Sequence, residues 1–191
     1  ALIGPVAAIG LYEMSRKRES DGQASWRDAI SVKQSPSFVP ILLLGFYLAA
    51  LFITWMIVDF TLYGVTLGPE PPLSVLGFFN DVLTTGPGWS MLVAGVAIGA
   101  VFALVVLAIS LVSFPMLIDR QVGIPKAVVT SVKITRKNPV VVAVWGLIVV
   151  ALLGLGVLTL FVGMIIALPV LGHATWHLYR QAVVPADPAA A

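Results

Sequence analysis

Residues 139–178 read PVVVAVWGLIVVALLGLGVLTLFVGMIIALPVLGHATWHL, forty residues with no Asp, Glu, Lys or Arg among them. As one helix the stretch would reach about 60 Å at 1.5 Å per residue, twice the roughly 30 Å of a bilayer hydrocarbon core. It therefore predicts a helical hairpin, with spans at 139–156 and 158–178 turning near Gly154-Leu155-Gly156. Two further apolar runs, 38–63 and 89–118, are each long enough to cross once. Residues 1–12 are apolar over half a span and are read as a partial span whose start precedes Ala1. The fold class follows: all-α, a polytopic transmembrane helical bundle of four full spans plus an N-terminal partial span, built from repeated helical hairpins. Residues 1–180 form the transmembrane domain and 181–191 a cytoplasmic tail.

Composition agrees with this reading. The 191 residues are 59% hydrophobic and 10% charged, with a mean hydropathy of +1.03, whereas a soluble globule carries about 25% charged residues. A water-soluble enzyme is excluded. Cysteine is absent, which removes disulfides, thiolate metal sites and Cys nucleophiles together.

The positions of the eleven Lys and Arg set the orientation. Arg16, Lys17, Arg18, Arg27 and Lys33 fall in the first loop. Arg120, Lys126, Lys133, Arg136 and Lys137 follow the second run, and Arg180 lies in the tail. Residues 64–88 contain none. All eleven lie on one side only if 139–178 crosses twice, and basic loops stay cytoplasmic. The expectation is a multi-pass protein of the bacterial inner membrane with a cytoplasmic C-terminus. Trp26, Trp55, Tyr63, Trp89, Trp176 and Tyr179 fall where interfacial aromatic belts form.

A repeat is visible. Prolines at Pro5, Pro115 and Pro169 lie near the cytoplasmic ends of return spans, and Ser31-Val32-Lys33 before Pro40 recurs as Ser131-Val132-Lys133 before Pro139. In the second copy Ile124, Val128 and Val132 share one helical face and Lys126, Thr130, Lys133 and Lys137 the other, the pattern of a helix lying on the inner leaflet. In the first copy Ser25-x-x-Asp28 has the spacing of a capping box.

Few residues offer chemistry. His173 and His177, at i and i+4, share a helix face and are the candidate metal ligands; Glu13 and Asp119 are the nearest acids, and the structural alternative is a pair of interfacial histidines. Asp59 is the one acid inside an apolar run, an intramembrane site or a solvated residue near Tyr63. Glu13 and Asp119 each have an arginine nearby, which suits a clamp. Gly95 and Gly99, with Ala103, form a small-residue stripe for close helix packing, internal or against a partner. Residues 73–85 suit an interfacial helix, a lid or a docking surface. No phosphate loop, nucleophile elbow or HExxH helix occurs. No cofactor is expected, and nothing supports nucleic-acid binding.

Four stretches, Gly4-PVAAIGLY-Glu13, Ser113-FPMLID-Arg120, Arg136-Lys137-Asn138-Pro139 with Trp145-Gly146-Leu147-Ile148, and Leu168-PVLGHATWHLY-Arg180, resemble an uncharacterised family of bacterial integral membrane proteins, domain of unknown function 2189. Because only Asp59 is charged within the apolar runs between Phe38 and Leu178, the first expectation is a non-enzymatic accessory or assembly subunit contacting the lipid bilayer and other membrane-protein subunits, and the family resemblance implies respiratory or photosynthetic complexes as hosts. Some members carry a label likening them to cytochrome c oxidase subunit I, but two histidines cannot ligate that subunit's haems and copper. The alternatives are a small transporter or channel, and a metal- or haem-handling protein using His173 and His177.

Overall fold

The computed structural model describes residues 12, 14–18, 36–120 and 122–183. Among them the regular structure is helical: α1 (Phe38–Thr66), α2 (Val75–Thr84), α3 (Gly86–Ser110), α4 (Ser113–Arg120), α5 (Ile124–Lys137), α6 (Pro139–Leu158) and α7 (Met164–Ala182). Residues 12 and 14–18 are helical as well. The rest of the partial span 1–12, Glu13, Trp26 and the Ser25–Asp28 capping box lie outside the described residues. Among the described residues, three helical stretches are long and apolar enough to cross a bilayer: Phe38–Thr66, Gly86–Arg120 and Pro139–Leu158. The fourth expected span, α7, is 19 residues long and falls short in hydropathy, because its second half carries His173, Thr175, His177, Tyr179 and Arg180.

The turn of the second hairpin comes later than the glycines suggested. α6 continues through Gly154 and Gly156 to Leu158, and the reversal occupies residues 159–163. Glycine in an apolar helix allows close packing: a Cβ on Gly156 would come within 2.9 Å of Met164 Sδ, and one on Gly163 within 3.1 Å of Gly156 Cα. Leu160 and Phe161 carry the reversal in the left-handed region, φ 52° and 67°. Each amide N–H from Thr159 to Ala167 has an acceptor. That of Gly163 uses the Thr159 hydroxyl at 2.9 Å, and the others use backbone carbonyls at 2.9–3.2 Å.

The chain divides into two compact units, one comprising Tyr47–Val106 and the other the chain up to Phe46 together with everything from Leu107 onward. In the second of these the core is built at the basic end of the spans. α4 is buried from Ser113 to Ile118, and it packs on α5 and α7. Ile41 and Leu44 of α1, Ala127 of α5, Val142 of α6, and Leu171, Trp176 and Tyr179 of α7 are buried with it. Trp176 and Tyr179 therefore fill the core and do not form a lipid-facing belt. Ser37 Oγ donates to the Leu117 carbonyl at 2.6 Å, fixing the start of α1.

The break between α3 and α4 has a local cause. Pro115 has no N–H for the Leu111 carbonyl and its ring crowds that carbonyl. One turn earlier, where Val112 N–H would bond Ala108 O, the Ser131 hydroxyl is inserted. It accepts from Val112 N at 3.2 Å and donates to Ala108 O at 2.7 Å. The buried seam of α5 consequently runs through Ala127 and Ser131, with Ile124, Val128 and Val132 only half-buried beside it. Lys126, Lys133 and Lys137 point outward as the pattern predicted.

In the Tyr47–Val106 unit, α2 occupies the expected amphipathic stretch. Ser74 Oγ accepts from Gly77 N at 3.0 Å as its N-cap. The following helix starts hard against it: a Cβ on Gly88 would sit 2.2 Å from Asp81 O and 2.6 Å from Val82 Cα. Trp89 Nε1 donates to the Leu83 carbonyl at 3.0 Å, closing the α2–α3 corner.

Candidate functional site

α7 carries Pro169 in its interior and continues as a helix, so His173 and His177 stand one turn apart on one face, as their spacing predicted. His173 is half-buried and His177 exposed. Ser15, itself buried, places its Oγ 2.6 Å from His173 Nδ1 across 158 residues of sequence. One turn away Tyr12 hydrogen-bonds the side chain of Thr175, whose own hydroxyl donates to the Leu171 carbonyl at 2.7 Å. These contacts hold helical residues 12 and 14–18 along α7. Between the two lies a cavity of about 310 Å³ lined by Ser15, Arg18, His173 and His177.

The charge in this pocket differs from that of a metal site. Arg18 brings a positively charged guanidinium, and no carboxylate is among the lining residues described. No group of three or more His, Cys, Asp or Glu that could hold a metal occurs among the described residues. Of the two acids considered as further ligands, Glu13 is outside the described residues. Asp119 is engaged elsewhere: its Oδ2 accepts from Tyr179 OH at 2.5 Å and lies 3.8 Å from Arg120 Nε and 3.9 Å from an Arg180 terminal nitrogen. Burial, reinforced by the hydrogen bond to Asp119, pushes the Tyr179 phenol well above its ordinary value. Asp119 thus has the arginine-paired, clamping arrangement expected of it, with Tyr179 and Arg180 as partners that the sequence did not reveal.

The other singled-out residues lie in the Tyr47–Val106 unit. Gly95 and Gly99 face α1: a Cβ on Gly95 would lie 3.6 Å from Asp59 Oδ1 and 3.6 Å from Leu62 Cδ2, and one on Gly99 3.6 Å from Trp55 Nε1. Both glycines thus lie beside α1, whereas Ala103 is exposed. Asp59 is half-buried against Gly95, and the His pair is not part of this unit.

The contacts that build the pocket had no signal in the sequence. Ser15 sits in a polar run that reads as an ordinary basic loop, and only the i, i+4 histidines were legible.

The sequence profile of DUF2189, described as a predicted integral membrane protein, matches residues 1–119. The match takes in the Gly4–Glu13 stretch and nearly all of Ser113–Arg120, and ends before the histidine motif. No curated protein and no solved structure matches the chain.

Proposed function

Since the chain belongs to the DUF2189 family of predicted integral membrane proteins, we propose that it is a non-enzymatic accessory or assembly subunit that packs its spans against a larger membrane complex. The observation that carries this reading is how little the spans cover one another. The apolar windows of Phe38–Thr66, Gly86–Arg120 and Pro139–Leu158 are 17%, 0% and 11% buried, so nearly every span face is available to lipid or to other subunits. Inside a bilayer, association depends on close packing and hydrogen bonding more than on hydrophobic burial. The chain's own close-packed core is confined to one end. We read that end, and the C-terminus, as facing the cytoplasmic side of a bacterial inner membrane, a reading the bias of Lys and Arg supports.

A tagged chain at native abundance, extracted in mild detergent, should migrate on native gels well above its own micelle and bring membrane subunits in fixed ratio. A monodisperse single chain would refute the proposal. For orientation, cysteines at Glu70 and Asp81 should react with an impermeant thiol reagent from outside, and one at Lys133 should not; outside labelling at 133 would overturn the orientation.

A second reading, a small transporter or channel, draws on Asp59, a half-buried carboxylate within a span. Metal or haem handling draws on His173 and His177, and the guanidinium of Arg18 beside them weighs against it.

A further inference from the structure

The pocket between helical residues 14–18 and α7 plays no part in the accessory-subunit reading, and its composition is specific. A buried serine, an exposed arginine and two imidazoles from two separate segments converge on one cavity of about 310 Å³, at the small end of the roughly 300–1,000 Å³ usual for ligand pockets. The Ser15 hydroxyl occupies His173 Nδ1 at 2.6 Å, fixing the ring and leaving Nε2 as its remaining polar atom. With Ser15 donating, that nitrogen carries the proton and is itself a donor. Arg18 adds a planar fork of N–H donors and a fixed positive charge, and it is in no ion pair among the described residues. Among the described lining residues donors outnumber acceptors and the permanent charge is positive: they would repel a cation, and a tetrahedral oxyanion would find charge-assisted hydrogen bonds there.

The position of the pocket narrows the ligand. On the proposed topology, on which this step rests, the basic loops put this end of the unit at headgroup depth, where basic side chains meet anionic lipid; here Ser131 ties the lysine-bearing α5 to Ala108 and Val112. Tyr179, within two turns of both histidines on α7, is tied to Asp119. We propose that Ser15, Arg18, His173 and His177 form a binding site for a phosphate group, carried by an anionic lipid headgroup or by a small phosphorylated solute.

Native mass spectrometry of the full chain in detergent tests this directly. The probes are dioleoylphosphatidylglycerol, dioleoylphosphatidylcholine, inorganic phosphate and Zn(II). The wild-type chain should bind phosphatidylglycerol or inorganic phosphate, and Arg18→Gln and the His173→Gln/His177→Gln pair should each weaken that binding by about tenfold or more. Lys126→Gln, an exposed lysine on α5, should leave it unchanged. Arg18 is exposed, so its substitution should not unfold the protein, and an unchanged melting temperature verifies this. Binding of phosphatidylglycerol that inorganic phosphate does not compete away identifies a headgroup site; binding of inorganic phosphate in lipid-free detergent identifies a solute site. Equal binding by wild type and all variants would mean diffuse attraction to basic residues and overturn the proposal. Zn(II) retention that the histidine variants abolish and Arg18→Gln improves would overturn it in favour of a metal site.

Discussion

Replacing Ser131 by alanine removes one oxygen at a place where the backbone depends on it. That hydroxyl stands in for the missing Val112-to-Ala108 helical bond, serving both groups at 3.2 and 2.7 Å. Ser131 is fully buried, so water cannot take over. Interhelical side-chain hydrogen bonds in lipid contribute about 0.6–1.7 kcal/mol each, and a buried backbone group left unpaired costs about 1–3 kcal/mol. With two bonds lost and two groups orphaned, Ser131→Ala should destabilise the chain by about 2–4 kcal/mol. At about 2–4 °C per kcal/mol for a chain of this size, the melting temperature in detergent should fall by roughly 4–16 °C. Ser90→Ala is the matched control, since Ser90 is exposed and its hydroxyl donates only to Gly86 O of its own helix. It should change stability by less than about 0.5 kcal/mol. Thermal unfolding followed by fluorescence-detected size exclusion reads both. If Ser131→Ala melts with Ser90→Ala, the segment has closed the ordinary helical bond by itself and the inserted hydroxyl is not what holds α5 in place.

Three further outcomes follow from the geometry. Gly88→Ala should cost about 1–3 kcal/mol through overpacking, because its Cβ would meet the backbone of Asp81 and Val82 at 2.2–2.6 Å; a melting temperature equal to wild type would contradict that corner. Gly95→Ala should be mild, since its Cβ finds ordinary contacts at 3.6 Å, whereas Gly95→Leu should separate α1 from α3. Loss of a disulfide engineered between those helices in the leucine variant is the readout, and Leu92→Ala, on an exposed position, should preserve it. Tyr179 is held neutral above its ordinary range by burial and by Asp119, so its stabilising contribution is complete below about pH 10 and is lost as pH rises beyond that. Tyr179→Phe should flatten the alkaline fall in melting temperature; an unchanged alkaline limb would show that another group controls it.

How much of this was legible depended on the range of the signal. The lengths of 38–63, 89–118 and 139–178, and the bias of Lys and Arg, are local or summed properties, and they located the helices that carry the spans. Gly154 and Gly156 misplaced the turn because glycine reads as a breaker in water; α6 runs through both, and only Gly156 serves close approach, to Met164. The partners of Asp119 and the pairing of Ser15 with His173 join residues 60 and 158 positions apart, a separation over which periodicity says nothing. Trp176 looked interfacial by composition and is buried because α4 supplies a wall that only the tertiary fold brings to it. Ser131 was visible as part of a repeated tripeptide, but a serine's insertion into another helix's ladder has no one-dimensional pattern.

The reversal at 159–163 bears on how the protein reaches its final state. A loop that must pass through hydrocarbon ordinarily drags unpaired amides with it, at several kilocalories per mole for each group. Here every N–H from Thr159 to Ala167 already has an acceptor, and Leu160, Phe161 and Val162 present apolar side chains outward. On the topology proposed above, in which α7 returns across the bilayer, no charged residue has to be carried across, and α6 and α7 enter together as a preformed pair. The left-handed Leu160 and Phe161 cost about 1–3 kcal/mol each, less than the translocation of a solvated loop of the same length. On the proposed topology, insertion of the α6–α7 hairpin therefore requires only that its two legs meet, with the basic residues on either side staying where synthesis left them.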